Sequence, residues 1–300
     1  MKIAVVGAGA MGSLFGGYLS QKNDVYLVDI WAEHVQAINE NGLKIEEQDG
    51  QIRIFHPKAT TDAKTVGVVE LAVVFVKSIQ TIEAMEENIS LIGPDTMVLS
   101  LQNGYGNDAD IRKFVDKKNI VLGTTAHGCT MKEPGFVYHA GVGQNHIGPV
   151  SSDRNAAEIV AAVLNECDLI TDVSDDVMKL VWNKLFVNVG INAITALIDR
   201  TNACIADNPC ANAVSKALVY EAVATANAGG ANFDAATVFA NVVEVARKTG
   251  LNRSSMLQDV SKKRKTEIDK INGAIVKEAE AHGVDVPANR LIVNLIHAKE

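Results

Sequence analysis

The apolar positions follow two patterns along the chain. Up to about residue 173, short β-branched and aliphatic runs alternate with segments of helical spacing: KIAVVG, DVYLVD, ELAVVFVK, TMVLSLQNG and NIVLGTTAHG. Runs of this kind mark strands buried on both faces, as in a parallel sheet covered by helices. FVYHAGVGQNHIG has the look of a hairpin in the later part of that sheet. Near 172–175 the strand signals fade, and Ala, Val, Asn, Lys and Glu recur at helical spacing. Helices are predicted over 175–198, 208–229, 234–248, 255–281 and 287–298, bounded by Pro209, Gly229–Gly230, Gly250 and Pro287. The chain thus divides into an α/β domain over 1–173 and an all-helical domain over 174–300, with no repeat, flexible linker or low-complexity segment.

The first run leads straight into GAGAMG, a helix-like segment, and a second run ending in Asp29. Strand, glycine turn, helix, strand and acid in this order are the pattern of a Rossmann-like dinucleotide-binding domain. Gly7 permits the tight turn, Gly9 lets the backbone approach a pyrophosphate, and Gly12 lets helix and strand pack closely. Ala10 and Met11 complete the loop, and the helix start offers free N–H groups to phosphate. Asp29 stands where an acid binds the adenosine ribose hydroxyls. The bland alternative is a glycine-rich turn that binds nothing. Lys77 and Asn103 each lie where a strand ends and a loop begins, the edge at which ligands sit in open α/β sheets. Lys77 is a contact for cofactor phosphate or ribose, or else a solvated lysine. Asn103 belongs near the nicotinamide or substrate, or else is a turn former.

One predicted helix carries a polar row. Within VMKLVWNKLFVNVGINAITALI, Lys184, Asn188 and Asn192 are four apart, so each lies only about 40° round from the last. A buried polar row is costly unless the protein or a ligand hydrogen-bonds it. Further on, Ser255 and Gln258 form an S-x-x-Q capping box that opens a helix. Glu267, twelve residues later, falls near the same face as Ser255.

Composition narrows the partners. The chain has 300 residues, 47% hydrophobic and 21% charged, with a net charge of −8. That charge argues against broad affinity for nucleic acid or an anionic membrane, and makes KKRK at 262–265 a solvated face. The glycines that break the first apolar run argue against a signal peptide, and no uninterrupted apolar stretch reaches the roughly 20 residues of a membrane span. Cys129, Cys167, Cys204 and Cys210 are scattered and suit free thiols in a reducing cytoplasm. His127, His139 and His146 lack a convincing metal spacing, and no metal is expected.

Taken together, GAGAMG, FVK, LQNG, WNKLFVNVGIN, SSMLQD and KTEIDKINGAI give a chain that resembles the ketopantoate reductase family over essentially its full length. The resemblance implies a Rossmann-like domain followed by a helical one, and reduction of a 2-oxo acid by hydride transfer from a nicotinamide cofactor. It implies that Lys184 is the catalytic lysine and that Glu267 belongs to the active site. Asn188 and Asn192 would bind substrate, Ser255 its carboxylate, Asn103 would lie near nicotinamide and substrate, and Lys77 would contact the cofactor. The chemistry is coherent without the resemblance. Hydride arriving at a 2-oxo carbon places charge on the carbonyl oxygen, which a lysine ammonium can stabilise and protonate. A purely structural Lys/Asn network is the alternative.

One departure bears on the cofactor. Many members use NADPH and carry a basic residue just after the second strand, whereas here Asp29 is followed by Ile30. A carboxylate favours free ribose hydroxyls over a phosphate, so NADH preference is expected, with NADP accepted less well. The same departure leaves the substrate open between ketopantoate and the branched or aromatic 2-oxo acids of NAD-dependent D-2-hydroxyacid dehydrogenases. A regulator that binds a dinucleotide without turnover is a further, non-enzymatic alternative. The apolar stripes of the helical domain fit either a core or a homodimer interface.

Overall fold

The computed structural model describes residues 1–300. In chain order the elements are β1 (Lys2–Val6), α1 (Ala10–Leu19), β2 (Asp24–Val28), α2 (Ala32–Asn41), β3 (Leu43–Glu46), β4 (Ile52–Phe55), β5 (Lys58–Thr60), β6 (Leu71–Val74), α3 (Thr81–Glu87), β7 (Met97–Ser100), α4 (Asn107–Ile111), β8 (Ile120–Thr125), β9 (Gly128–Glu133), β10 (Phe136–Gly141), β11 (Asn145–Pro149), α5 (Asn155–Asn165) and β12 (Thr171–Val173). Helices follow: α6 (Val177–Ile198), α7 (Cys204–Asp207), α8 (Pro209–Ala228), α9 (Ala235–Lys248), α10 (Ser255–Ser261), α11 (Asn272–His282) and α12 (Pro287–Lys299). Two compact units result. One contains residues 1–102 and 107–177, the other residues 103–106 and 178–300.

In the first unit an eight-stranded sheet runs β12-β11-β8-β7-β6-β1-β2-β5. All neighbours are parallel except β11 and β8. The parallel strands β1, β6 and β7 are buried almost throughout, which explains their unbroken apolar runs. The strand order turns at β1, with β2 to one side and β6 to the other, and crevices for ligands form at such a switch point.

The expected hairpin over 136–148 is not formed. Its two strands lie in different sheets: β10 belongs to a second, four-stranded sheet ordered β4-β3-β10-β9, whereas β11 pairs antiparallel with β8. The hairpin partner of β10 is β9, joined through Pro134 and Gly135, the latter at φ +73°. Burial explains the division. Along β10 burial alternates, which suits a sheet covered on one face, while β11 is largely buried and suits the main sheet.

The second unit is helical. Asn208 caps α8, its side-chain oxygen accepting from the Cys210 and Ala211 N–H groups, with Pro209 in the first turn. Helix α6 is apolar nearly all round and forms the axis of the core, with Leu185, Phe186, Val189 and Ala193 at most about 1% exposed. Contrary to the sequence expectation, this helix is long and apolar enough by composition to cross a membrane, although most of its apolar stretch is buried inside the protein.

The helix expected over 255–281 is interrupted. Helix α10 ends at Ser261, Lys263 adopts φ +53°, and α11 begins only at Asn272. Residues 262–265 are four exposed cations with no apolar side chain to bury, and the Arg264 N–H closes the helix end by donating to the Asp259 carbonyl at 2.9 Å. The chain is then fixed where the Thr266 N–H donates to Glu300 Oε1 at 2.8 Å. The expected capping box is also displaced by one residue. Ser254 is the cap, its hydroxyl accepting from the Leu257 N–H at 3.1 Å, while the Gln258 amide donates to the Arg253 carbonyl. All four cysteines are free.

Candidate functional site

The candidate residues form two groups, one within each unit. In the first unit, the turn between β1 and α1 is held from beneath. The Gly7 N–H donates to the Val28 carbonyl at 2.9 Å, and the Ala8 N–H donates to Asp29 Oδ2 at 2.6 Å. The other carboxylate oxygen of Asp29 accepts from the Trp31 N–H at 2.9 Å. Gly7 adopts φ +92°, and a Cβ on Gly12 would fall 1.9 Å from the Gly7 carbonyl oxygen, so neither position tolerates a side chain. Gly9 is different: nothing lies within 4 Å of where its Cβ would be. Space is therefore open above the loop, and the N-terminus of α1 carries no side-chain cap. Its first N–H groups remain for an anion.

A cavity of about 620 Å³ opens there, walled by Gly7, Gly9, Asp29, Ile30 and Lys77. Asp62, Glu83 and Glu87 also line it, so four carboxylates face one ammonium. Open backbone at Gly9, an uncapped helix start and an acid at the end of β2 fit a dinucleotide. The structure brings Gly7, Gly9, Asp29 and Lys77 to one cavity, with Ala10 and Met11 half-buried in the loop. The three further acids carry no local motif, and only the tertiary fold gathers them.

In the second unit the polar row lies on α6. Burial pushes the Lys184 ammonium down to a pKa of about 8, while the charge of Glu267 opposes that shift. One turn on, the Asn188 amide nitrogen is buried without a hydrogen-bond partner. Asn192 is buried, and its carbonyl accepts from the Thr195 hydroxyl at 3.0 Å. The Thr195 hydroxyl is also 2.7 Å from that of Ser254, which joins α6 to the start of α10 and leaves neighbouring Ser255 exposed. Glu267 begins the short 3-10 turn Ile268–Lys270. The Lys270 carbonyl of that turn accepts from the Tyr105 N–H at 2.9 Å, and the Tyr105 ring packs 4.6 Å from Trp182 of α6. The loop 103–106, with Asn103, is thereby built into the helical unit, and Gly104 at φ +90° would drive a Cβ to 2.6 Å from the Lys270 carbonyl.

Lys184, Asn188, Asn192, Glu267 and Asn103 thus belong to one unit, with Ser255 at the foot of α10. A cation of lowered pKa beside an unpaired amide donor can bind and protonate an oxygen. The Thr195–Ser254 clasp was not foreseen, since two adjacent serines do not reveal which one turns inward.

Known proteins similar to this chain span its whole length. The family described as "Ketopantoate reductase PanE/ApbA" matches residues 3–152, and its C-terminal counterpart matches residues 176–300. A 2-dehydropantoate 2-reductase from Halobacterium salinarum is 36% identical over 298 residues, covering 99% of this chain and 98% of its own. Among solved structures, a ternary complex of D-mandelate dehydrogenase with NADH and anilino(oxo)acetate is similar at TM-score 0.93 and 34% identity, covering 100% of this chain and 98% of that one. A 2-dehydropantoate 2-reductase from Geobacter metallireducens is similar at TM-score 0.93 and 27% identity, with both chains fully covered.

Proposed function

The chain belongs to the ketopantoate reductase family, and we propose that it reduces 2-dehydropantoate to pantoate, with NADH as the preferred cofactor and Lys184 as the general acid. The observation that carries this reading is the pairing on α6 of a lysine held at a pKa of about 8 with the unpartnered amide of Asn188. The bound cofactor would supply a hydride to the 2-oxo carbon. The carbonyl π pair moves to oxygen, and the Lys184 ammonium donates its proton there, leaving a neutral amine and a 2-hydroxy acid. Glu267 keeps Lys184 charged against the cost of burial. Asn188 and Asn192 suit the substrate hydroxyl, Ser255 its carboxylate, and Asn103 the reacting end of the substrate and nicotinamide. Gly7, Gly9, Gly12, Ala10, Met11, Asp29 and Lys77 would hold the dinucleotide.

The NADH preference rests on charge. Ile30 stands where a basic residue would neutralise a 2′-phosphate, and Asp29, Asp62, Glu83 and Glu87 would repel one. A second reading, an NAD-dependent D-2-hydroxyacid dehydrogenase for branched or aromatic 2-oxo acids, is favoured by the similarity to the mandelate enzyme. The deciding experiment measures NADH oxidation with 2-dehydropantoate beside 2-oxoisovalerate, which lacks the 4-hydroxyl. A site built to bind that hydroxyl rejects the analogue strongly, because its polar groups would be left unpaired. Equal or better rates with the analogue, or with phenyl-substituted 2-oxo acids, would move the chain to the second reading.

A further inference from the structure

The first unit contains a buried hydrogen-bonded chain that the proposed mechanism does not use. His127 Nδ1 lies 2.9 Å from His139 Nε2, and His139 Nδ1 lies 2.8 Å from Glu47 Oε2. The Tyr18 hydroxyl donates to the other oxygen of Glu47 at 2.8 Å. His139 is 1% exposed and His127 9%. With both imidazoles neutral, these contacts set the proton positions. A carboxylate has only acceptors, so His139 must carry its proton on Nδ1 and offer a lone pair at Nε2. His127 must then donate from Nδ1, and its own Nε2 is a bare acceptor. That atom is buried and has no partner. A buried bare acceptor costs free energy until a donor reaches it.

Its place in the fold indicates the donor. Strands β1, β6, β7 and β8 are parallel, so the end of β8 that leads into His127 shares an edge with the end of β1 that leads into Gly7. The His127 ring meets Phe15 of α1 edge-on at 5.9 Å, Phe15 lies 4.8 Å from Phe75, and Phe75 walls the cavity at Gly7 and Gly9. A dinucleotide with its pyrophosphate at Gly9 and its adenosine ribose at Asp29, on the β2 side, extends its other half past β1 toward β6, β7 and β8. We propose that His127 Nε2 accepts a hydrogen bond from the nicotinamide riboside half of the cofactor, and that His139 and Glu47 act as positioning residues that hold His127 in the accepting tautomer. This rests on the reading that the first unit binds a nicotinamide dinucleotide. The donors available on that half are the carboxamide N–H and the ribose hydroxyls.

The test compares dissociation constants for NADH, its reduced acetylpyridine analogue and ADP-ribose in the full-length wild type and in His127→Phe. ADP-ribose lacks the nicotinamide riboside, and the analogue lacks the carboxamide N–H. His127→Phe should weaken NADH about tenfold and leave ADP-ribose unchanged. If the carboxamide is the donor, the wild type binds the analogue as weakly as the variant binds NADH. If a ribose hydroxyl is the donor, the wild type binds analogue and NADH alike, and the variant loses both. Equal NADH affinity in wild type and variant would overturn the assignment and leave a trapped water as the partner of Nε2. Where the variant loses ADP-ribose as well, imidazole nitrogen NMR of the wild type decides. The His127 Nε2 resonance should move with NADH and not with ADP-ribose, and a resonance that ignores NADH sinks the idea. A wild type that binds neither ligand would instead defeat the dinucleotide reading itself.

Discussion

Lys184 concentrates what can be tested at the scale of the residue. In the proposed reaction Lys184 donates as the ammonium, so the rate of 2-oxo acid reduction should fall as pH rises through about 8, while hydroxy-acid oxidation, which needs the neutral amine, should rise across the same range. A reduction profile flat across that range would take the proton from elsewhere. Lys184→Ala should cost about a hundredfold or more in kcat with the affinity for NADH unchanged, by stopped-flow and fluorescence titration. At the proposed cofactor site, Asp29→Ala should raise the kcat/KM for NADPH relative to NADH only part of the way, since Asp62, Glu83 and Glu87 still line the cavity. An unaltered cofactor ratio would show that Asp29 does not touch the ribose. His127 adds a dependence of stability on pH. Burial pushes it down to a pKa of about 4 from 6.5, so the unfolded chain takes up the proton first and stability is lost as pH falls from 6.5 toward 4. Urea midpoints measured from about pH 7 to about pH 5 should drop less in His127→Phe than in the wild type. The row on α6 and the glycine turn were legible from the sequence because each is a local spacing. The His127–His139–Glu47 chain was not, because Glu47 lies 92 positions from His139 and only the folded sheet brings them together.

At the scale of the element, α6 is held close to its neighbours by one missing side chain. A Cβ on Gly190 would fall 2.7 Å from Val242 of α9 and 2.9 Å from both Ser215 and Val219 of α8. Gly190→Ala should therefore destabilise the protein by about 1–3 kcal/mol, read as a lower denaturation midpoint. An unshifted midpoint would show that α8 and α9 can move aside. Elements with an unbroken period were legible in advance: the buried parallel strands, and α6, α8, α9 and α12 within a few residues. The errors have physical sources. The run 255–281 has helical spacing throughout, yet the spacing is blind to the left-handed turn at Lys263 that ends α10. The hairpin over 136–148 has two real strands, yet no local signal says that β10 pairs with β3, some ninety positions earlier. The second sheet was unread for the same reason: its strands are four to six residues long, and several are half-exposed.

At the scale of the whole molecule, two cores with different residues imply that a ligand of one unit stabilises that unit first. ADP-ribose at about a hundred times its dissociation constant adds about 2.7 kcal/mol to the state that binds it. Hydrogen exchange should then slow in β1, α1 and β2 while α8, α9 and α12 exchange as before, and protection spread evenly over both units would contradict this. The change of regime near residue 174 was legible because strands and helices bury apolar residues with different periods. The interruption at 103–106 was not, since four residues carry no periodicity, and only the hydrogen bond from Tyr105 to Lys270 and the Tyr105–Trp182 contact reveal their allegiance. That interruption has a consequence for how such a protein can be cut, fused or inherited. The chain changes unit three times, after Gln102, Gly106 and Val177, so its halves are not beads on a string. A gene fragment stopping at residue 177 would carry Asn103–Gly106 without the helices that support them, and a fragment starting at 178 would lack that loop altogether. Exchange of the helical half between relatives would have to transplant two separate pieces of sequence, which favours inheritance of the two halves as one indivisible gene.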